Sequence, residues 1–357
     1  MRILFVINNL EAGGAEKLIL ESIPKLIYQG LEIEVLLFNK KSSHFLKQLE
    51  VTNCTIHSLG IKNVYNPIII FKLIPFFNNY DVVHVHLFPA LYWAALANFF
   101  NKKKTKLIYT EHSTNNKRRK LYFKPLERFI YRQYHKIITI SDDVDFKIKK
   151  HLGFKESIFV KILNGIDTNK YILSKPLKEK IFKESGDKIL IQVSRFDFPK
   201  DQKTVIEALK HLPHNIKLVL VGEGKLKTEM EIHTNLLGLS DRVMFLGFRN
   251  DIPELLKSSD IIILSSRYEG LSLASIEGLS SGKPLIASDA PGISNIVGNA
   301  GILFPIGNHK RLASEIQKLL QDKDYYESVV NRSVKKAEEF DIKNMVLKYK
   351  KLYLEIR

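Results

Sequence analysis

A single cysteine, Cys54, stands among 357 residues. That scarcity excludes an intramolecular disulfide and a cysteine-built zinc cluster, and it suits a reducing cytosol. Long apolar runs are missing too. Segments 68–77 and 90–100 are too short, or too interrupted by Pro, Lys and Asn, to cross a bilayer. The opening MRILFVI enters a strand-like run without the segments of a signal peptide, so secretion is not expected. Neither G-x-G-x-x-G nor G-x-x-x-x-G-K-[ST] follows that run, which weakens a nicotinamide or ATP reading. Zinc-finger spacing, basic-zipper heptads and the aromatic-rich glycine motif of RNA-binding sheets are also lacking, so nucleic acid is not an expected partner.

What the chain has in excess is positive charge. Lys and Arg number 55 against 38 Asp and Glu, a formal charge of +17 that calls for an anionic partner. Residues 102–120 concentrate it, with Lys102, Lys103, Lys104, Lys106, Lys117, Arg118, Arg119 and Lys120 against one acid, Glu111. Part of the excess is ordinary solvated surface, but clustering of this density favours a membrane surface. With 45% hydrophobic residues and this length, two packed cores are the better expectation.

The pattern has one rhythm, given twice. Strands are expected at 2–7, 33–38, 82–86, 106–109 and 136–140. Helical spacing begins at Ala15; Pro24 should kink that helix and Gly30 should end it. A second series follows at 189–193, 217–221, 243–246, 261–264, 284–287 and 301–304, with helices expected at 203–212, 226–237, 252–257 and 272–280. Alternating strands and helices imply parallel sheets covered on both faces, hence two doubly wound α/β domains, 1–166 and 167–340. The segment 341–357 is expected to be a helix packed back on the first domain. Ligands of such sheets bind beyond the carboxyl ends of the strands, which are expected to line a shared central cleft.

The unusual residues fall at those ends. Glu269 and Glu277 lie in YEGLSLASIEG, where Ser272 is a plausible N-cap and the amides of residues 271–274 favour an anion. Glu277 falls among Leu273, Ile276 and Leu279, where a lone carboxylate is expensive to desolvate; the bland alternative is a solvated or base-paired glutamate. In SRFDFPKD, Arg195 and Lys200 suit a diphosphate as fork and point charge. VGEG brings Gly222, either for close ligand approach or for a simple turn. NNLEAGGAEK brings Gly13 and Gly14 before a helix. TEHS places His112 after a strand, able to donate to a hydroxyl or phosphate oxygen, though a structural role is equally open. His84 and His86 share one side of a strand but have no clear third metal ligand, so they are expected to pack or to line the cleft. Asp143 and Asp145 follow the N-cap candidate Ser141 and are expected to complement a helix dipole.

Taken in order, GGAE, DVVHVH, TEHS, NGID, SRFDFPK, VGEG, FLGF and the E-x7-E spacing resemble the retaining glycosyltransferases of family 4, over nearly the whole chain. The resemblance implies the GT-B fold, two Rossmann-like domains around a cleft. It assigns Arg195 and Lys200 to the donor diphosphate, Glu269 to the transferred sugar and Glu277 to the nucleotide ribose. The amides after Gly270, at Leu271, Ser272 and Leu273, complete the diphosphate cradle; Phe248 and Arg249 lie near the base; Gly14 and His112 face the sugar from the opposite wall. It further implies a nucleotide-sugar donor, most often uridine-linked, as substrate and no cofactor; no metal is expected either, since the residues offer no complete metal site and Arg195 and Lys200 could neutralise the diphosphate. The acceptor implied is a lipid-linked glycan of capsule, O-antigen or exopolysaccharide assembly, reached at the inner face of the cytoplasmic membrane through the basic stretch. Two other readings stay open: a nucleotide-sugar 2-epimerase of related fold, and a non-catalytic protein that binds anionic lipid or nucleic acid. Sugar transfer to an added acceptor separates the glycosyltransferase from both.

Overall fold

Strand Arg2–Ile7 (β1) buries side chains on both of its faces: Leu4 and Val6 enter one core cluster, Ile3, Phe5 and Ile7 another. Such two-sided burial is what a parallel sheet covered by helices requires. The computed structural model describes residues 1–11, 13–113, 117–177, 186–269 and 271–356. The chain divides into two units, Met1–Gly165 with Ile342–Arg357, and Ile166–Asp341.

The first unit continues with β2 (Glu32–Leu37), β3 (Thr55–Ser58), β4 (Val82–His86), β5 (Lys106–Glu111), β6 (Lys136–Thr139) and β7 (Phe159–Lys161). The sheet order is β3-β2-β1-β4-β5-β6-β7, parallel throughout. Edge strands β3 and β7 are additions to the strands expected from the sequence. Helix Gly14–Tyr28 runs through Pro24, and Gly30, at φ +84°, follows its end in the left-handed conformation that glycine tolerates. The helix Ile342–Glu355 completes this unit: Ile342, Met345, Val346, Tyr349, Leu352 and Tyr353 join the cluster of Ile3, Phe5 and Ile7.

The second unit holds β8 (Lys188–Val193), β9 (Ile216–Val221), β10 (Val243–Gly247), β11 (Ile261–Leu264), β12 (Leu285–Ser288) and β13 (Ile302–Phe304), in the parallel order β10-β9-β8-β11-β12-β13. Its core gathers Leu190, Leu218, Leu220, Ile261, Ile263, Ile286 and Phe304. In each sheet the first strand has neighbours on opposite sides that come from different points of the chain, β2 and β4 for β1, β9 and β11 for β8. The order reverses there, which opens a crevice at the carboxyl ends. Among the described residues no helix is long and apolar enough to cross a membrane.

Candidate functional site

In the second unit, the loops after β8 and β11 are stitched together at that reversal. Lys200 and Ser266 form an antiparallel bridge; Asp201 N donates to the Ser265 carbonyl at 2.9 Å and Arg267 N to the Pro199 carbonyl at 3.0 Å. Beneath them lies a polar layer that the sequence reading missed. Gln202 Nε2 donates to Ser194 Oγ and to the Arg195 carbonyl, both at 2.9 Å. Ser265 Oγ donates to Gln192 Oε1 at 2.8 Å, and Ser266 N donates to Ser288 Oγ at 2.9 Å. Gln192, Gln202, Ser265, Ser266 and Ser288 are buried, so their bonds avoid a desolvation loss, and the layer holds both loops in one conformation.

On that layer Lys200 Nζ and Glu269 Oε1 form an ion pair, their side chains 16% and 15% exposed. Ser266 Oγ donates to the same carboxylate oxygen at 2.9 Å, and Glu269 N donates to the Pro291 carbonyl at 2.8 Å. The two residues assigned above to different parts of a ligand therefore touch each other. Ser272 caps helix Leu273–Ser280, its Oγ accepting from Ser275 N at 3.3 Å. Glu277 is 7% exposed, next to the fully buried Ile276, and Gly278 on that helix faces the side chains of Leu285 and Ile262. A solvated Glu277 is thereby excluded. Leu271 and Leu273 are half-buried, while Gly270 lies outside the described residues.

Other expected site residues have different surroundings. The Arg195 side chain is 77% exposed, with Nη1 3.8 Å from Asp197 Oδ2. Arg249 is engaged by Asp251 through two contacts of 2.8 and 2.5 Å, which raise its pKa, while Phe248 is exposed. Gly222, at φ +135°, has the Ser194 carbonyl oxygen 2.2 Å from where a Cβ would stand. What glycine admits closely at this point is the backbone of the neighbouring loop.

The first unit has its own polar group. Asn8 joins the loops after β1 and β4, with Nδ2 donating to the Phe88 carbonyl at 2.8 Å and Oδ1 accepting from Ala90 N at 3.2 Å. Gly14 is exposed at the start of helix Gly14–Tyr28. His112, half-buried just beyond β5, has Nε2 3.1 Å from His86 Nδ1. His84 places Nδ1 2.7 Å from the Tyr353 hydroxyl and Nε2 2.7 Å from Thr110 Oγ1. Burial disfavours the imidazolium form of all three rings: it pushes His84 down to about 3, His112 to about 4, and His86 well below the usual range. His84 and His86 are packed inside rather than lining an opening. Among the described residues no group of three or more His, Cys, Asp or Glu is placed to hold a metal. Ser141 Oγ accepts from Val144 N at 3.2 Å, so Asp143 and Asp145 sit in the first turn of a capped helix.

The basic stretch 102–120 is corrected most: its described residues do not form one solvated surface. Arg119 is only 12% exposed in its side chain, 3.8 Å from the buried Glu111, and Nη2 donates to the Ser113 carbonyl at 2.7 Å. Glu111 also accepts from the Tyr131 hydroxyl at 2.6 Å and from Ser113 N at 3.0 Å. Arg118 lies over the Phe88 ring at 4.6 Å and the Tyr92 ring at 5.6 Å, beside buried Glu127, which accepts from the Tyr92 hydroxyl. Lys104 donates to the Asn98 carbonyl at 2.8 Å and the Phe99 carbonyl at 2.5 Å, in the last turn of helix Ala90–Phe100. Helix C-termini attract such cations, so part of this charge belongs to the fold.

Residues 12–170 match the family described as Glycosyltransferase Family 4, and residues 174–336 match Glycosyl transferases group 1. The putative glycosyltransferase EpsD of Bacillus subtilis is 31% identical over 67% of this chain and 67% of its own. A galactosyltransferase of Escherichia coli, named for UDP-Gal and a diphosphoundecaprenol-linked acceptor, is 29% identical over 83% of this chain and 80% of its own. A Campylobacter jejuni N-acetylgalactosaminyltransferase, also named for a diphospho-undecaprenol acceptor, is 27% identical over 94% of each chain. Among solved structures, Anabaena HepE in complex with UDP superposes with a TM-score of 0.82 at 23% identity, covering 99% of this chain and 100% of that one. A Rickettsia africae glycosyltransferase gives 0.85 at 22% identity, covering 99% and 98%. With both halves matched in order and both sheets doubly wound, the chain belongs to glycosyltransferase family 4 and has the GT-B fold.

Proposed function

We propose that the protein transfers a sugar from a uridine diphosphate sugar to a hydroxyl of a lipid-linked glycan, with retention at the anomeric carbon, in bacterial surface-polysaccharide assembly. The observation that carries this reading is the collection of the Lys200–Glu269 pair, and of buried Glu277 on the helix the same loop opens, at the strand reversal of the second sheet. Glu277 accepts the ribose hydroxyls; Lys200, Arg195 and the amides of Leu271, Ser272 and Leu273 take the diphosphate; Glu269 meets the sugar. The bond from the anomeric carbon to the diphosphate breaks, the acceptor oxygen bonds on the same face, and its proton passes to the departing phosphate oxygen. Stabilising that departing charge is the main catalytic task. Names of relatives support a diphosphoundecaprenol-linked acceptor, and HepE with UDP supports the uridine donor. A panel of nucleotide sugars, assayed for transfer with the released nucleotide identified, tests the reading. Interconversion of sugars without transfer to any acceptor would favour the epimerase instead.

Two expected results belong to this reading. Because Lys200 and Arg195 neutralise the diphosphate, activity should be unchanged by EDTA; abolition with recovery on Mg²⁺ or Mn²⁺ would overturn that role. The second concerns contact with an anionic bilayer, which shifts from the full basic stretch to an exposed group on the first unit. Leu121, Tyr122, Phe99 and Phe100 are 87%, 69%, 45% and 58% exposed, and Leu121 and Phe129 share a shallow groove with Lys124, Arg128 and Arg132. Cations near an anionic bilayer contribute about 1 kcal/mol each, and the apolar side chains add burial. Replacing Leu121 and Tyr122 with Ser, and Lys120 and Lys124 with Gln, should lower co-sedimentation with anionic vesicles at least tenfold while leaving hydrolysis of soluble donor intact. Equal sedimentation of variant and parent at every salt concentration would remove this surface from the reading.

A further inference from the structure

We infer that His86 is a positioning residue that holds His112 as its Nδ1–H tautomer, so that His112 presents a hydrogen-bond donor at Nδ1. The contact between His86 Nδ1 and His112 Nε2, at 3.1 Å, requires one proton between two ring nitrogens. Two neutral arrangements supply it. If His112 donates, the proton of His86 must sit on its own Nε2, which is buried and has no hydrogen-bond partner. An orphaned N–H in a buried site is rare because it forfeits its bond to water. If His86 donates from Nδ1, its Nε2 carries only a lone pair, and the costly orphan donor disappears. His112 Nε2 is then an acceptor already in use, and the remaining proton of its neutral ring is on Nδ1.

The surroundings hold His86 in place for this task. Its ring stacks on Phe5 with centroids 5.4 Å apart, and His84 lies beside it at 4.2 Å. His84 is fixed in turn by the Tyr353 hydroxyl and Thr110 Oγ1, both at 2.7 Å. The anchoring hydroxyl therefore comes from the helix Ile342–Glu355, far along the chain. Burial of all three rings keeps them neutral near pH 7, which removes the doubly protonated arrangement. The catalytic consequence rests on the proposed transfer reaction and on the place beside the sugar that the family resemblance gives His112; the tautomer itself does not.

Long-range ¹H–¹⁵N NMR of the ligand-free full-length protein at pH 7 distinguishes protonated from bare ring nitrogens, with signals assigned through single His→Gln variants. The expected spectrum has His112 protonated at Nδ1 and bare at Nε2, and His86 protonated at Nδ1. A His112 protonated at Nε2, or an even mixture, overturns the inference. Two variants add the functional readout. His86→Phe keeps the ring stack and removes the donor; kcat for transfer should fall at least tenfold with donor KM within about twofold. His86→Asn places an amide N–H near the lost Nδ1–H and should recover most of that loss. If both variants are folded and Asn is no better than Phe, the hydrogen bond does not position His112. Should no transfer be found at all, the spectrum still decides the tautomer, so failure of the inference is separable from failure of the proposed reaction.

Discussion

Glu277→Ala should weaken binding of UDP and its sugars at least 30-fold, equivalent to roughly 2 kcal/mol for hydrogen bonds made to a charged group. The expectation follows from a carboxylate 7% exposed on a helix whose neighbours Ile276 and Leu279 are fully buried. Ribose hydroxyls donating to a charged carboxylate at such a site would form bonds stronger than neutral ones. Analogues separate this role from general damage. Uridine nucleotides lacking the 2′- or 3′-hydroxyl should bind the parent weakly, whereas the variant should hardly distinguish them from UDP, giving a coupling energy in a double-mutant cycle. Isothermal titration supplies all four affinities. If Glu277→Ala binds UDP as the parent does, the ribose assignment is lost.

Lys200→Met should lower kcat by about 10²–10³, the range seen when one preorganised group facing developing negative charge is removed. It should also destabilise the second unit, because Glu269, only 15% exposed, loses the cation it is paired with. Breaking a buried pair costs about 3–5 kcal/mol, and less where both groups retain some solvent. Glu269→Gln should show the same loss of stability in milder form. The double variant Lys200→Met with Glu269→Gln removes both charges, and its melting temperature should recover toward the parent while turnover stays lost. That split is the decisive measurement. A double variant that is stable and active would make the pair a structural staple with no part in the reaction.

The fold was legible where burial is complete. Strands such as β11, all Ile and Leu, are buried along their length, so their hydrophobic runs stand out in one dimension. Thr55–Ser58 sits at a sheet edge, where exposure permits Thr, His and Ser and no apolar run marks it, and Phe159–Lys161, at the other edge, is only three residues long. The Ser272 cap and the burial of Glu277 could be argued from local spacing. Polar side chains buried by a neighbour distant in sequence could not. Gln192 meets Ser265 only because β8 lies beside β11, and His84 meets Tyr353 only because the last helix returns to the first sheet. Arg118 and Arg119 gave the opposite error. Counting charge along the chain ignores that a short 3₁₀ turn, Lys117–Arg119, carries these guanidinium groups toward Phe88 and Glu111.

The returning helix also orders events at the ribosome. Ile3, Phe5 and Ile7 are made well before Met345, Tyr349 and Tyr353, which share their core cluster. During synthesis the first unit must wait with part of its sheet uncovered, while the second unit, continuous from Ile166 to Asp341, has everything it needs as soon as it leaves the tunnel. The domain begun first is thus finished last. Quality control in the cell would meet the exposed face of β1 in every product truncated before Ile342, and such a chain would be marked for proteolysis although every residue of the second unit had been made.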